Sequence, residues 1–403
     1  MTTATDSRVS APPAETAAGG THVPLSILDL ATVSEGGTGA DAIRASLDLA
    51  VRADELGYSR VWFAEHHLAP GVASASPGVL AALVAGRTSR IRVGSGAVLL
   101  STTSPLIAAE QFGAIAAAYP GRVDLGLGRA FTPPPEGAPR VKPEPTPARV
   151  VDGLHVPASP PFDFGDSELR ERFLAHARVL SANRAPGDFR SELGQVLALQ
   201  AGELVDEDGR VFVSPPVQRA AFDLWVLASS GGESARVAGE LGLPLAANFH
   251  VSPSTVLETV ASYRAAFRPG VLAAPYVVVS VDVLAAETDA EAARLADPFA
   301  AWVWSIRKGG GAIAYPRPGT TTPWDQLPDD EQALLRDRLE TRVVGGPETV
   351  VERLEALQRA TGADELLVTT ETHDKADTVR SYDLLAEAWG LAAPALASAA
   401  ATA

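Results

Sequence analysis

The 403-residue chain contains no cysteine, which removes disulfides, thiolate nucleophiles and Cys-ligated metal sites. Basic residues are also scarce: 33 Lys and Arg stand against 49 Asp and Glu, a formal charge of −16. That balance repels phosphate backbones and anionic lipid headgroups, so neither nucleic-acid binding nor membrane-surface binding is expected. No apolar run approaches the roughly 20 residues that a membrane-spanning helix requires; even Ser104 to Tyr119 is broken by Glu110 and Gln111. The start, MTTATDSRVSAPPAETAAGG, lacks a basic segment followed by an apolar one. It reads as a floppy tail over residues 1–22 rather than a signal peptide, and a cytoplasmic protein is expected. The Ala-rich end, residues 393–403, is expected to fray. Neither GxxxxGK nor GxGxxG occurs where it would mark an NTPase loop or a dinucleotide fingerprint.

What remains is a chain with 46% hydrophobic and 20% charged residues, enough to bury a large core. Short apolar runs alternate with amphipathic ones. Leu25 to Leu28, Arg60 to Ala64, Ile91 to Leu99, Val123 to Gly128, Leu224 to Ala228, Leu245 to Asn248, Tyr276 to Leu284 and Glu365 to Thr370 read as strands. Helical patterns lie between them, as at Asp41 to Leu56, Pro77 to Arg87, Pro253 to Phe267 and Ala376 to Trp389. Repeated β then α over this length predicts a single (β/α)8 TIM barrel over residues 23–392, with a doubly wound open sheet as the alternative. Two segments fall outside the rhythm: about 131–220, which opens on a Pro-rich stretch, and about 300–340. Both are expected to insert over the C-terminal face of the strands as walls or lids, or else to be disordered filler.

Candidate chemistry gathers where strands end. Glu65, His66 and His67 close the second strand, and in a barrel that end faces the active site. An imidazole beside a carboxylate can exchange protons near neutral pH, although buried histidines also serve structure. Adjacent residues on an extended chain point to opposite sides, so His66 and His67 are not expected to share a metal. Gly96 and Ala97 follow the third strand and leave room for a planar ring. Arg129 follows the fourth, placed either for a forked phosphate contact or for a salt bridge. Ser229, Ser230, Gly231, Gly232 and Ser234 join a strand to a helix N-terminus, an anion cradle in the half of a barrel that often binds phosphate. Phe131, Trp302 and Trp304 supply either an aromatic substrate pocket or ordinary core.

The runs WFAEHH, RVGSGAVLL, SPLIAAEQFGAI, PGRVDLGLGR and SSGG-ESAR followed by ELGLP, then VGGPETVVERLEAL and GADELLVTT, occur in this order. Together they resemble the bacterial luciferase-like flavin-dependent monooxygenases, with the flavour of the antibiotic-biosynthesis branch. The resemblance implies a TIM barrel that takes reduced FMN from a separate reductase, reacts it with O2 and oxidises a small organic substrate through a flavin peroxide. It implies His66 as the active-site histidine with Glu65 and His67 as motif neighbours. It also implies a non-prolyl cis peptide at Gly96-Ala97, Arg129 as a phosphate ligand, Ser229 to Ser234 as the phosphate loop, no metal, and a homodimer. The chain departs from the family at Gly231-Gly232, where a glycine is inserted, and after Arg129, where Phe131 opens an extension. Two other readings remain: hydride transfer with a deazaflavin, and a barrel that binds flavin or a metabolite without turnover.

Overall fold

A computed structural model describes residues 22–129, 146–161, 167–180, 187–308 and 310–391. Eight strands carry the architecture: β1 Leu25–Asp29, β2 Arg60–Phe63, β3 Arg92–Ser95, β4 Val123–Gly128, β5 Phe222–Ala228, β6 Leu245–Asn248, β7 Val277–Ala285 and β8 Glu365–Thr369. Each pairs in parallel with the next, and β8 pairs with β1, so the sheet closes into a barrel without edges. Parallel strands covered on both sides read as continuous apolar runs, and every residue of β4 and β7 is buried.

The helices form the outer ring because their apolar faces have only the barrel to cover them. Gly39–Leu56 is typical. Thr38 and Asp41 build a capping box at its start, Gly57 ends it in the left-handed region at φ 91°, and Leu49, Ala50 and Ala53 face inward.

Polar groups divide the barrel into two ends. At the N-terminal end, Arg60 donates to Glu365 at 2.7 Å and to Asp124 at 2.8 Å, and Arg92 bridges Asp124 and Asp223. Burial alone would raise the Asp124 pKa, but Arg92 and Arg60 beside it bring it down to about 2. Above this sealed floor Trp62 and Trp225 meet edge to face at 5.0 Å between ring centroids, surrounded by Leu28, Val278 and Leu367. These side chains fill the lower part of the barrel, and among the described residues its C-terminal end is left open.

The (β/α)8 expectation is met, with two differences of detail. The run from Ile91 to Leu99 is two strands, Arg92–Ser95 and Val98–Leu99, separated by a cis peptide between Gly96 and Ala97. Within the segment expected as the first insertion, the helix Phe189–Ala201 packs on Pro105–Ala118 as part of the outer ring. A hairpin of Arg149–Val151 and Leu154–Val156 and the helix Ser167–Val179 precede it. The second segment is largely helical, with Phe299–Arg307 and Asp329–Thr341. Most of the Pro-rich stretch, and Phe131 with it, lies outside the described residues.

Candidate active site

The open end of the barrel encloses a cavity of about 530 Å³, within the range of small-molecule sites. Glu65, His66, His67, Gly96, Ala97, Arg129, Ser229 and Trp302 all line it. These groups come from the ends of β2, β3, β4 and β5 and from the helix Phe299–Arg307, so the strand-end argument brings most of the expected residues to one place.

His66 is pinned through its backbone, whose N–H donates to the Ser74 carbonyl at 2.8 Å. Its side chain opens to the cavity, while the protein packed around it penalises the charged imidazolium. Burial and the neighbouring His67 lower its pKa against the opposing pull of Glu65, so the ring is neutral at pH 7. Glu65 has a different position. Its carboxylate lies 2.8 Å from His67 Nε2 and accepts from Thr102 Oγ1 at 2.6 Å and the Leu99 N–H at 3.0 Å. It thus ties the end of β2 to the turn after Val98–Leu99 and orients His67.

Gly96 and Gly128 are tightly approached by their neighbours. A Cβ on Gly96 would lie 2.8 Å from Leu28 Cδ1, and one on Gly128 would lie 3.1 Å from the Ala97 Cβ. Bare backbone therefore forms this wall of the cavity.

Arg129 directly follows Gly128, and its guanidinium lies 5.3 Å over the Phe189 ring. Its Nη1 donates to Glu233 Oε2 at 2.5 Å and its Nε to Ser234 Oγ at 3.2 Å. Both partners begin the helix Glu233–Glu240, whose cap, Gly232, supplies no side chain. The preceding loop is held from below, since Thr255 Oγ1 donates to the Ser229 carbonyl and Ser262 Oγ to the Gly231 carbonyl. Ser229 lines the cavity, whereas Ser230, Gly231, Gly232 and Ser234 flank it. Arg129 and Ser234, with Ser229 on the cavity lining, form a hydroxyl-bearing corner in which the Glu233 carboxylate pairs with the Arg129 guanidinium. Trp304 is 37% exposed and does not line the cavity.

Nine polar residues lining the cavity escaped the sequence reading: Arg172, His176, Asn248, His250, Ser280, Asp282, Arg338, Thr369 and Glu371. His250 follows β6, and its Nδ1 lies 2.7 Å from Ser280 Oγ; burial pushes its pKa down to about 4. Asp282, within β7, accepts from Arg338 Nη2 at 3.1 Å. Burial raises Glu371 to about 7. A signal for two of these was present: Ser280 and Asp282 are the only polar residues in the apolar β7 and are spaced by two, which puts both on one face of the strand.

The comparisons with known proteins agree with this geometry. The profile of the luciferase-like monooxygenase family matches residues 23–157 and 193–365. The chain is 36% identical to the uncharacterized protein YvbT of Bacillus subtilis over 91% of this chain and 96% of that one. It is 31% identical to a luciferase-like monooxygenase of Escherichia coli over 90% and 96%. The crystal structure of apo-MsnO8 superposes with a TM-score of 0.71 at 35% identity, over 92% of this chain and 99% of that one. More distant structures share the fold. One is the oxygenating constituent of 3,6-diketocamphane monooxygenase from Pseudomonas putida in complex with FMN, at TM-score 0.59 and 19% identity over 91% and 97%. Another is the coenzyme F420-dependent tetrahydromethanopterin reductase of Methanopyrus kandleri, at 0.53 and 15% over 89% and 97%. With a family profile covering most of its length and a cavity at the open end of a closed parallel barrel, the chain belongs to the luciferase-like monooxygenase family.

Proposed function

We propose that the protein is a two-component monooxygenase that receives reduced FMN from a separate reductase and uses O2 to oxygenate a small organic, secondary-metabolite-like substrate. The observation that carries this reading is the pairing, within one cavity, of a neutral strand-end imidazole with a cationic corner suited to a phosphate. Arg129, Ser229 and Ser234 would hold the FMN phosphate, and the bare wall at Gly96, Ala97 and Gly128 would accept the flat ring. Reduced FMN, when bound, supplies the electrons with which O2 is activated. The rest falls to the chain. His66, neutral at pH 7, can accept a proton on a free ring nitrogen and return it, while His67 and Glu65 fix the local backbone. Leu28, Leu30, Val72, Leu227 and Ile306 line the cavity with apolar surface that excludes water from the reacting groups.

The Glu233–Arg129 pair adds a condition: a phosphate entering the corner has to displace a carboxylate. Cofactor binding is then weak and reversible, which suits a guest delivered by a partner. A homodimer is also proposed. Val79 and Leu83 are exposed on Pro77–Ala85, and Ile107 is exposed on the neighbouring Pro105–Ala118.

Hydride transfer with a deazaflavin is the second reading, supported by the fold shared with an F420-dependent reductase. Supplying reduced FMN and reduced F420 separately, each with and without O2, tests the choice. Product formed only from reduced FMN and only with O2 supports the monooxygenase; product formed from F420 without O2 overturns it.

A further inference from the structure

The cavity has a second cationic pole, beside β7 rather than after β4, where Arg129 stands. Arg338, on the helix Asp329–Thr341, is 5% exposed and lines the cavity. Its Nη2 is committed to Asp282, but its buried Nε–H has no acceptor among the described residues. Beside it Trp302 lines the same cavity, is 4% exposed, and its buried Nε1–H likewise lacks an acceptor among the described residues. Phe299 holds the two together: the Trp302 ring stacks on it at 5.9 Å between centroids, and the Arg338 guanidinium lies 5.6 Å over its ring. Arg342 approaches the same ring at 4.0 Å, and its Nη2 donates to the Glu371 carbonyl.

Buried N–H donors are almost always matched with acceptors, and buried cations with counter-charge. Here the Arg338 and Arg342 guanidiniums stand together on the Phe299 ring, Asp282 accepts from Arg338, and the nearby Arg307 is matched by Asp337. Burial leaves the other acid, Glu371, only half ionised near pH 7. The local balance is positive, and the two buried donors without an acceptor among the described residues belong to side chains that line the cavity. Leu30, Val72 and Ile306 give the same cavity apolar lining.

We infer that this pole is the substrate-recognition site, and that the substrate is an amphipathic carboxylate whose carboxyl group is held by Arg338 and Trp302 while its apolar body lies toward His66. A carboxylate matches a guanidinium edge and offers a second oxygen to the indole N–H. The inference rests on reading the cavity as the active site, but its test uses neither flavin nor oxygen, so it can fail while the cofactor reading stands.

The test is equilibrium binding of octanoate and octanamide, equal in length and differing in charge, to the full-length protein by calorimetry. Wild type should bind octanoate about tenfold more tightly than octanamide, the factor that one charge-assisted hydrogen bond supplies. Arg338→Met should abolish that preference. Trp302→Phe, which keeps the ring and removes the N–H, should weaken octanoate by about threefold to tenfold and leave octanamide unchanged. Asp282→Asn, which removes the competing carboxylate, should tighten octanoate. If Arg338→Met fails to fold, the other two variants decide. Equal affinity for both probes in wild type, binding of neither, or Trp302→Phe and Asp282→Asn variants that bind octanoate as wild type does would overturn the assignment.

Discussion

At the scale of single residues, four side chains in the cavity, His66, Arg129, His250 and Glu371, differ in what their surroundings ask of them. His66 is kept neutral by burial and by His67, poised to take a proton. Replacing it with alanine should lower product formation by about 10²- to 10⁴-fold, the usual contribution of a positioned proton-transfer group, with the far-ultraviolet circular dichroism unchanged. Unaltered turnover would remove it from the chemistry. Arg129→Ala should weaken reduced-FMN binding by about 1.5–3 kcal/mol, the worth of a hydrogen bond to a charged group. Glu233→Gln should do the opposite, tightening it by up to about fivefold, because an exposed ion pair holds at most about 1 kcal/mol against the incoming phosphate. An anaerobic flavin titration reads both, and a Glu233→Gln variant that binds more weakly would mean that the carboxylate does not compete. His250 makes a separate pH prediction. Its folded pKa of about 4 lies below its ordinary 6.5, so between those values the unfolded chain binds the extra proton and stability falls as pH falls. Glu371, raised to about 7, works in reverse: its stabilisation is full below about 4.5 and is lost as pH rises through 7. Comparing urea midpoints of wild type and His250→Asn from pH 7 to 4.5 isolates the first effect. The variant should gain relative to wild type toward the acid end, by at most about 3 kcal/mol. Of these groups, His66 and Arg129 were legible in sequence because both end strands in a repeating β/α pattern. His250 ends a strand too, but stands alone in a run without a motif. Arg338 was out of reach, since nothing in DDEQALLRDRLET distinguishes a cavity cation from a solvated one before the helix is packed.

At the scale of elements, strands were the more legible part. A strand covered on both sides needs apolar residues throughout, and Val123–Gly128 and Leu245–Asn248 have the bounds expected of them. The break in Ile91 to Leu99 was hidden because Gly96 and Ala97 fit either a continuous or an interrupted strand. The helix Phe189–Ala201 was missed for another reason: the Pro-rich composition before it coloured the whole segment as an insertion. Yet Phe189, Leu193, Val196 and Leu199 are buried along one face, and Asp188 caps its start through the Ser191 N–H. If this helix belongs to the barrel, Leu193→Ala should cost about 2–5 kcal/mol in urea unfolding, as core truncations do. A loss below about 0.5 kcal/mol would place it with surface segments instead.

At the scale of the whole molecule, the polar groups are sorted by end. The Arg60–Glu365–Asp124–Arg92 network closes the N-terminal end, while the C-terminal end keeps partly matched cations and neutral imidazoles facing a cavity. Stability is thus gathered at the end where no ligand enters. The barrel followed from the β/α rhythm and from chain length, but the cavity's shape did not, because two of its walls come from helices distant in sequence, Ser167–Val179 and Phe299–Arg307. On the outside, the exposed Val79, Leu83 and Ile107 predict a dimer at micromolar concentration by sedimentation, and Leu83→Glu should shift it toward monomer. Monomeric wild-type protein would show that this apolar face is merely exposed. The most direct test of the central claim is an anaerobic titration of the protein with reduced FMN, followed by mixing with oxygenated buffer while flavin absorbance is recorded. The account predicts saturable binding that Arg129→Ala weakens, and reoxidation of the bound flavin with kinetics distinct from those of free flavin. Absence of binding, or saturable binding of reduced F420 in its place, would contradict it.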